Sequence, residues 1–286
     1  WYTVKGQRPS DETGIYRYKF DVPKSWAGQR VKIFFDGVMT DAEIIINGKP
    51  AGELHQGGFY RFSYDITELL NLGKKNQLEV KVAKESANRS INAAERKADW
   101  WLFGGIYRPV WLEVLPQIHM KHFVLSADHK GKFQASIDME GDAKGHEIVV
   151  SVRSLKDGKT VYTSNGQTTI THPINNSGKE QMISGEWTNI VPWSTEAPNL
   201  YVVKLELKNP EGKIVQTRET RIGFRTVEFF PQDGVYLNGT KLVIKGINRH
   251  SFSVDGGRTT NAALSRMDAQ LIKEMNMNAV RSHYPP

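Results

Sequence analysis

The sequence predicts a mainly β chain, two antiparallel sandwiches in succession followed by a strand–helix–strand unit. Three observations predict it. Short runs rich in branched and aromatic residues recur through the first two thirds, separated by Gly, Pro, Asn and Asp. Asn47-Gly48 and Asn238-Gly239 sit between such runs, where a two-residue hairpin needs positive φ at both positions. Past Asn261 the apolar spacing lengthens from two to between three and four, the period of a helix.

The first domain is expected over 1–116. Its strands are Tyr16-Arg-Tyr-Lys-Phe20, Val31-Lys-Ile-Phe-Phe35 and Glu43-Ile-Ile-Ile46, with further strands at 77–82 and 110–115. They alternate or run apolar, as strands of an antiparallel sandwich do, and the set closes near Pro116. A second set, at 133–139, 146–154, 168–171 and 200–208, fits a small immunoglobulin-like sandwich over 117–224. Lys156-Asp157-Gly158-Lys159 and Asn209-Pro210-Glu211-Gly212 are its turns.

From residue 225 the pattern changes again. A hairpin over 235–243 leads into the largely apolar run ending Lys245-Gly-Ile-Asn-Arg-His250. Asn261 then opens a helix whose Leu264, Met267, Leu271, Ile272 and Met275 keep to one face, before a strand over 279–283. Strand, helix, strand over 225–286 is a βαβ unit, the seed of a parallel sheet or barrel. Alone, such a unit leaves one face of its sheet and helix uncovered.

Composition removes several classes of function. The chain has 286 residues, 39% hydrophobic and 24% charged, enough for two or three cores. It has no cysteine, which excludes disulfides, thiolate metal sites and cysteine nucleophiles. The net charge of +7 is dispersed among carboxylates, so no nucleic-acid partner is expected. No run approaches the roughly 18 apolar residues of a membrane span, and no membrane partner is expected. The start at Trp1 shows no signal-peptide layout. Lack of cysteine suits cytoplasm or periplasm, and a periplasmic or secreted location is the expectation.

Five segments carry a resemblance. They are Ala98-Asp-Trp-Trp-Leu-Phe-Gly-Gly-Ile-Tyr-Arg-Pro-Val110, Pro192-Trp-Ser-Thr-Glu-Ala-Pro-Asn-Leu-Tyr201, Ile222-Gly-Phe-Arg225, Lys245-Gly-Ile-Asn-Arg-His250 and Asn278-Ala-Val-Arg-Ser-His-Tyr-Pro285. In this order they resemble glycoside hydrolase family 2, and within it the β-galactosidases. The resemblance implies a jelly-roll sugar-binding domain, an immunoglobulin-like domain and the start of a (β/α)8 barrel. It also implies a retaining exo-β-glycosidase acting on terminal β-galactosides of oligosaccharides, in which one carboxylic acid protonates the leaving oxygen and a second carboxylate attacks the sugar. Both glutamates are expected beyond Pro286, so this chain holds no catalytic residue and is expected to be inactive alone.

The resemblance assigns four substrate-binding residues to this chain. Arg281 and His283, at the end of the second barrel strand, would support the nucleophile and hydrogen-bond sugar hydroxyls. An arginine beside that carboxylate keeps it ionised, as attack requires. His250 would contact substrate from the end of the first strand, and Asp99 would reach from the sugar-binding domain to hold the terminal sugar. Arg249, one residue along, should face the other way and serve structure.

One departure stands out. The family has two residues between this arginine and histidine, and here there is only Ser282. One residue fewer on a strand turns one of the pair to the opposite side. No metal is assigned to this chain, although the family resemblance allows magnesium or sodium in a full-length enzyme; homo-oligomers are also common in it. Rival readings are β-glucuronide or β-mannoside specificity, a non-catalytic carbohydrate-binding module, and an interaction scaffold using the uncovered barrel start.

Overall fold

The computed structural model describes residues 12–95, 103–175 and 179–283. The chain divides into two compact units: residues 1–114 together with 245–286, and the intervening residues 115–244. Among the described residues no helix is long and apolar enough to cross a membrane.

The first unit contains a sandwich. One sheet orders Thr13–Asp21, Lys75–Ala83, Ala42–Ile46 and Lys49–Pro50, and a second orders Phe62–Asp65, Arg30–Phe35 and Val110–Leu115. Alternation decides which side is buried. In Arg30–Phe35 every second residue is buried, so Val31, Ile33 and Phe35 join Ile44, Ile46, Val80 and Val82 in one core. Each such side chain contributes about 1.5–3 kcal/mol on leaving water. Asn47 and Gly48, at φ 51° and 81°, make the expected hairpin turn joining Ala42–Ile46 to Lys49–Pro50. Lys75–Ala83 leads into a short helix α1 (Arg89–Glu95).

The second unit is also a sandwich. One sheet runs His119–Ala127, Lys132–Glu140, Glu180–Thr188, Tyr162–Thr163, and its partner runs Thr169–Pro173, Glu147–Ser154, Tyr201–Lys208, Ile214–Ile222. Trp187, Phe133 and Phe224 are fully buried between them, with Trp187 edge-on to Phe133 at 6.4 Å. The small sheet Val227–Phe230, Gly234–Leu237, Thr240–Leu242 belongs to this same unit. Asn238 ties it there, accepting from Thr226 N at 2.9 Å and donating to Trp193 O at 3.0 Å.

The first unit also contains the strand–helix–strand segment. Gly246–His250 and Ala279–His283 are parallel, joined through helix α2 (Ala262–Glu274). The predicted cap is present: Asn261 is extended and its side chain accepts from Leu264 N at 2.8 Å. Asn276, at φ 58°, ends the helix in the left-handed region. Met267, Leu271 and Met275 are exposed along one stripe of α2, the uncovered face that a lone βαβ unit leaves.

Candidate active site

In a parallel sheet a strand's C-terminal end is where the chain turns out into a loop, and barrel enzymes place their chemistry there. The register of the two strands is unbroken: Gly246 faces Ala279, Asn248 faces Arg281, Arg249 faces Ser282 and His250 faces His283. Their N-terminal ends are pinned by Asn278, whose side chain accepts from Lys245 N at 2.8 Å while its backbone N–H donates to Lys245 O at 3.0 Å.

The sequence-assigned residues fall as follows. His250 is the last residue of its strand and exposed, on the side of Asn248. Arg281 is exposed at the register position of Asn248, and His283 ends the second strand at the register position of His250. With one residue between them, Arg281 and His283 sit two register positions apart, as Asn248 and His250 do. Asp99 lies outside the described residues. Arg249 is half-buried with Ile247 on the other side of the strand. It turns to the helix, donating from Nε to Asp268 Oδ2 at 2.7 Å.

The loop over 251–261 follows His250 and lies against the sandwich of the same unit. Phe252 N donates to His250 O at 2.9 Å, latching the loop to the strand end. Arg258 stands over the Phe59 ring at 5.0 Å, Phe252 meets Phe103 at 6.0 Å, and Arg108 donates to Thr260 Oγ1 at 3.3 Å. Sequence reasoning assigned no role to Phe103, Arg108 or Arg258. The one available signal was Gly256-Gly257 in a short polar loop, which marks a close backbone approach without naming its partner.

Beneath these contacts is a buried polar hub. Tyr107 donates to Gly58 O at 2.6 Å, and Gly58 N donates to the buried Glu95 carboxylate at 2.8 Å. Burial pushes the Tyr107 phenol up, against the pull of Arg108 and Arg258 and with a push from Glu95, so it stays protonated and donates. Burial also lowers His55, against the Gly57 carbonyl and Asp41, and favours a neutral ring stacked on Phe62 at 3.6 Å. A cleft of about 780 Å³ opens beside α2, lined by Asp36, Arg61, Arg108, Thr260, Asn261 and Ser265. Its Asp36 is committed to Arg61 at 2.7 Å and Trp111 Nε1 at 3.2 Å.

Among the described residues no group of three or more His, Asp or Glu side chains is placed to hold a metal ion. Arg281 and His250 are exposed polar side chains, and the two described strands, Gly246–His250 and Ala279–His283, carry no pair of carboxylates for acid and nucleophile.

Comparison with known proteins accounts for this arrangement. Residues 4–116 match the model for glycosyl hydrolases family 2, sugar binding domain; residues 117–225 match glycosyl hydrolases family 2; residues 231–286 match its TIM barrel domain. A beta-galactosidase of Thermoanaerobacter pseudethanolicus is 33% identical over 277 residues, covering 94% of this chain and 36% of that protein. A putative beta-glucuronidase of Formosa agariphila is 30% identical over 272 residues, covering 89% and 30%. The solved structure of a Bacteroides uniformis beta-glucuronidase superposes with TM-score 0.78 at 28% identity, covering 96% of this chain and 34% of that one. The chain thus spans about a third of the length of the curated relatives it matches. Three successive domain matches follow the same order as two sandwiches and a first strand–helix–strand step, and the chain belongs to glycosyl hydrolases family 2.

Proposed function

We propose that this chain supplies the sugar-binding domain, the immunoglobulin-like domain and the first barrel step of a retaining exo-β-glycosidase that removes terminal β-galactosides from oligosaccharides. The observation that carries the reading is the ordered run of three family-2 matches across residues 4–286. The galactoside preference is supported by the beta-galactosidase relatives, at 33% and 32% identity.

In this reading His250, Arg281 and His283 line one side of the sugar subsite, and Asp99 reaches it from the sugar-binding domain. Arg281 keeps a neighbouring carboxylate nucleophile ionised by its positive charge. The acid and the nucleophile come from strands beyond those seen in this chain, so the chain alone does not hydrolyse glycosides. Beta-glucuronide is the second reading, favoured by the Formosa agariphila relative and the Bacteroides uniformis structure.

A panel of nitrophenyl glycosides offered to the protein encoded by the coding sequence continued past Pro286 tests the preference. Fastest release from the β-galactoside supports it, and faster release from the β-glucuronide replaces it with the second reading. Retention is read separately, by proton NMR of the first sugar released, which should appear as the β-anomer.

A further inference from the structure

We infer that Phe103 is a positioning residue: its ring holds the loop over 251–261 and, through that loop, fixes where His250 stands. A side-chain carbon built on Gly257 would meet Phe103 Cε1 at 2.9 Å and Cζ at 3.0 Å, so the ring occupies the space a larger residue would need. The same ring meets Phe252 at 6.0 Å, and Phe252 N donates to His250 O at 2.9 Å. A continuous path of contacts therefore runs from the sandwich to the strand end.

The loop has little to order itself. Its internal bonds among those described are the Ser253–Gly257 bridge, at 2.8 and 2.9 Å, the Gly256 N bond to Ser253 Oγ at 3.0 Å, and the turn closed by Thr259 N on Gly256 O at 2.9 Å. Val254 at its tip is 95% exposed. A segment with so few buried contacts opens easily unless something outside holds it. The described outside anchors include Phe103 on Phe252 and Gly257, Phe59 under Arg258, Arg108 on Thr260, and Arg249 on Ser251 Oγ at 3.4 Å. Phe103 touches two of the loop's positions, one of them bonded to His250. The meaning of this for sugar binding rests on the glycosidase reading, while the ordering of the loop does not.

Hydrogen exchange of this chain tests it. Phe103→Ala should speed exchange of the amides over 251–261 about tenfold and leave those of Lys75–Ala83 unchanged, and Phe103→Tyr, which keeps the ring, should restore protection. Gly257→Ala, which drives a methyl into the ring at φ 56°, should loosen the loop from the other side. The His250 ring resonances should shift in Phe103→Ala and not in Phe103→Tyr. Unchanged protection in Phe103→Ala overturns the inference, and so does a loss shared equally by Lys75–Ala83, because the ring would then be holding the sandwich. Neither measurement uses a sugar, so failure of the glycosidase reading would leave both outcomes standing.

Discussion

Arg249 binds Asp268 through two nitrogens on one carboxylate oxygen, Nε at 2.7 Å and an Nη at 2.5 Å. The pair ties the strand that carries His250 to the second turn of α2. It does so on the side away from His250, as the strand's alternation requires. The two side chains are 20% and 30% exposed, so water screens the pair only in part.

Asp268→Asn should therefore destabilise the first unit by about 1 kcal/mol, near the upper end for partly exposed pairs. A double-mutant cycle with Arg249→Gln, read by urea unfolding, should return most of that loss as coupling. Additive single losses would mean that the contact contributes little.

Gly37 leaves room for the hub. A side-chain carbon there would stand 2.8 Å from the Tyr107 phenol and from the Arg108 stem. Gly37→Ala should cost about 1–3 kcal/mol by overpacking. It should also weaken the Tyr107–Gly58 bond, seen as faster exchange around Gly58 and Phe59.

Trp187 is fully buried, and its indole Nε1 has no hydrogen-bond partner among the described residues. Trp187→Ala should cost the second unit about 3–5 kcal/mol. Trp187→Phe removes the unpaired donor along with some volume, and should cost well under half as much. Thermal unfolding of the two variants side by side gives the comparison.

Asp65 joins two strands, binding Arg30 at 2.6 Å and accepting from Thr67 N at 3.0 Å and from the Thr67 hydroxyl. Burial pushes its carboxyl up, but the Thr67 bonds and Arg30 outweigh that and hold it below the usual value of 3.8. A depressed folded value means the ionised form is favoured by folding, so the contribution is present above 3.8 and lost as pH falls through the lower folded value. Carbon-detected titration should place the Asp65 midpoint below 3.8, and Arg30→Gln should move it upward.

Alternation made two central strands legible. Val31-Lys-Ile-Phe-Phe35 and the run over 133–139 announce their buried faces, and the structure extends each by only a residue or two. One edge strand hid for a physical reason. Ile214–Ile222 places Gln216 inward, where its amide accepts from Met120 N at 2.7 Å and fills the bulge between Met120 and His122. A buried polar plug breaks the pattern that marks a strand. Helix α1 was missed because only Glu95 is buried in it, leaving no apolar stripe to read.

The site divides in the same way. Arg249 facing the helix followed from period-two alternation, a local property. The loop anchors did not follow, because Arg258 meets Phe59 and Thr260 meets Arg108 across long stretches of chain that no local pattern joins.

The most direct test of the account compares two proteins on 4-nitrophenyl β-galactoside: this chain, and the product of the coding sequence continued past Pro286. The account predicts nitrophenol release by the longer protein and none by the chain. Hydrolysis by the chain alone, or no glycoside hydrolysis by the longer protein, would contradict it.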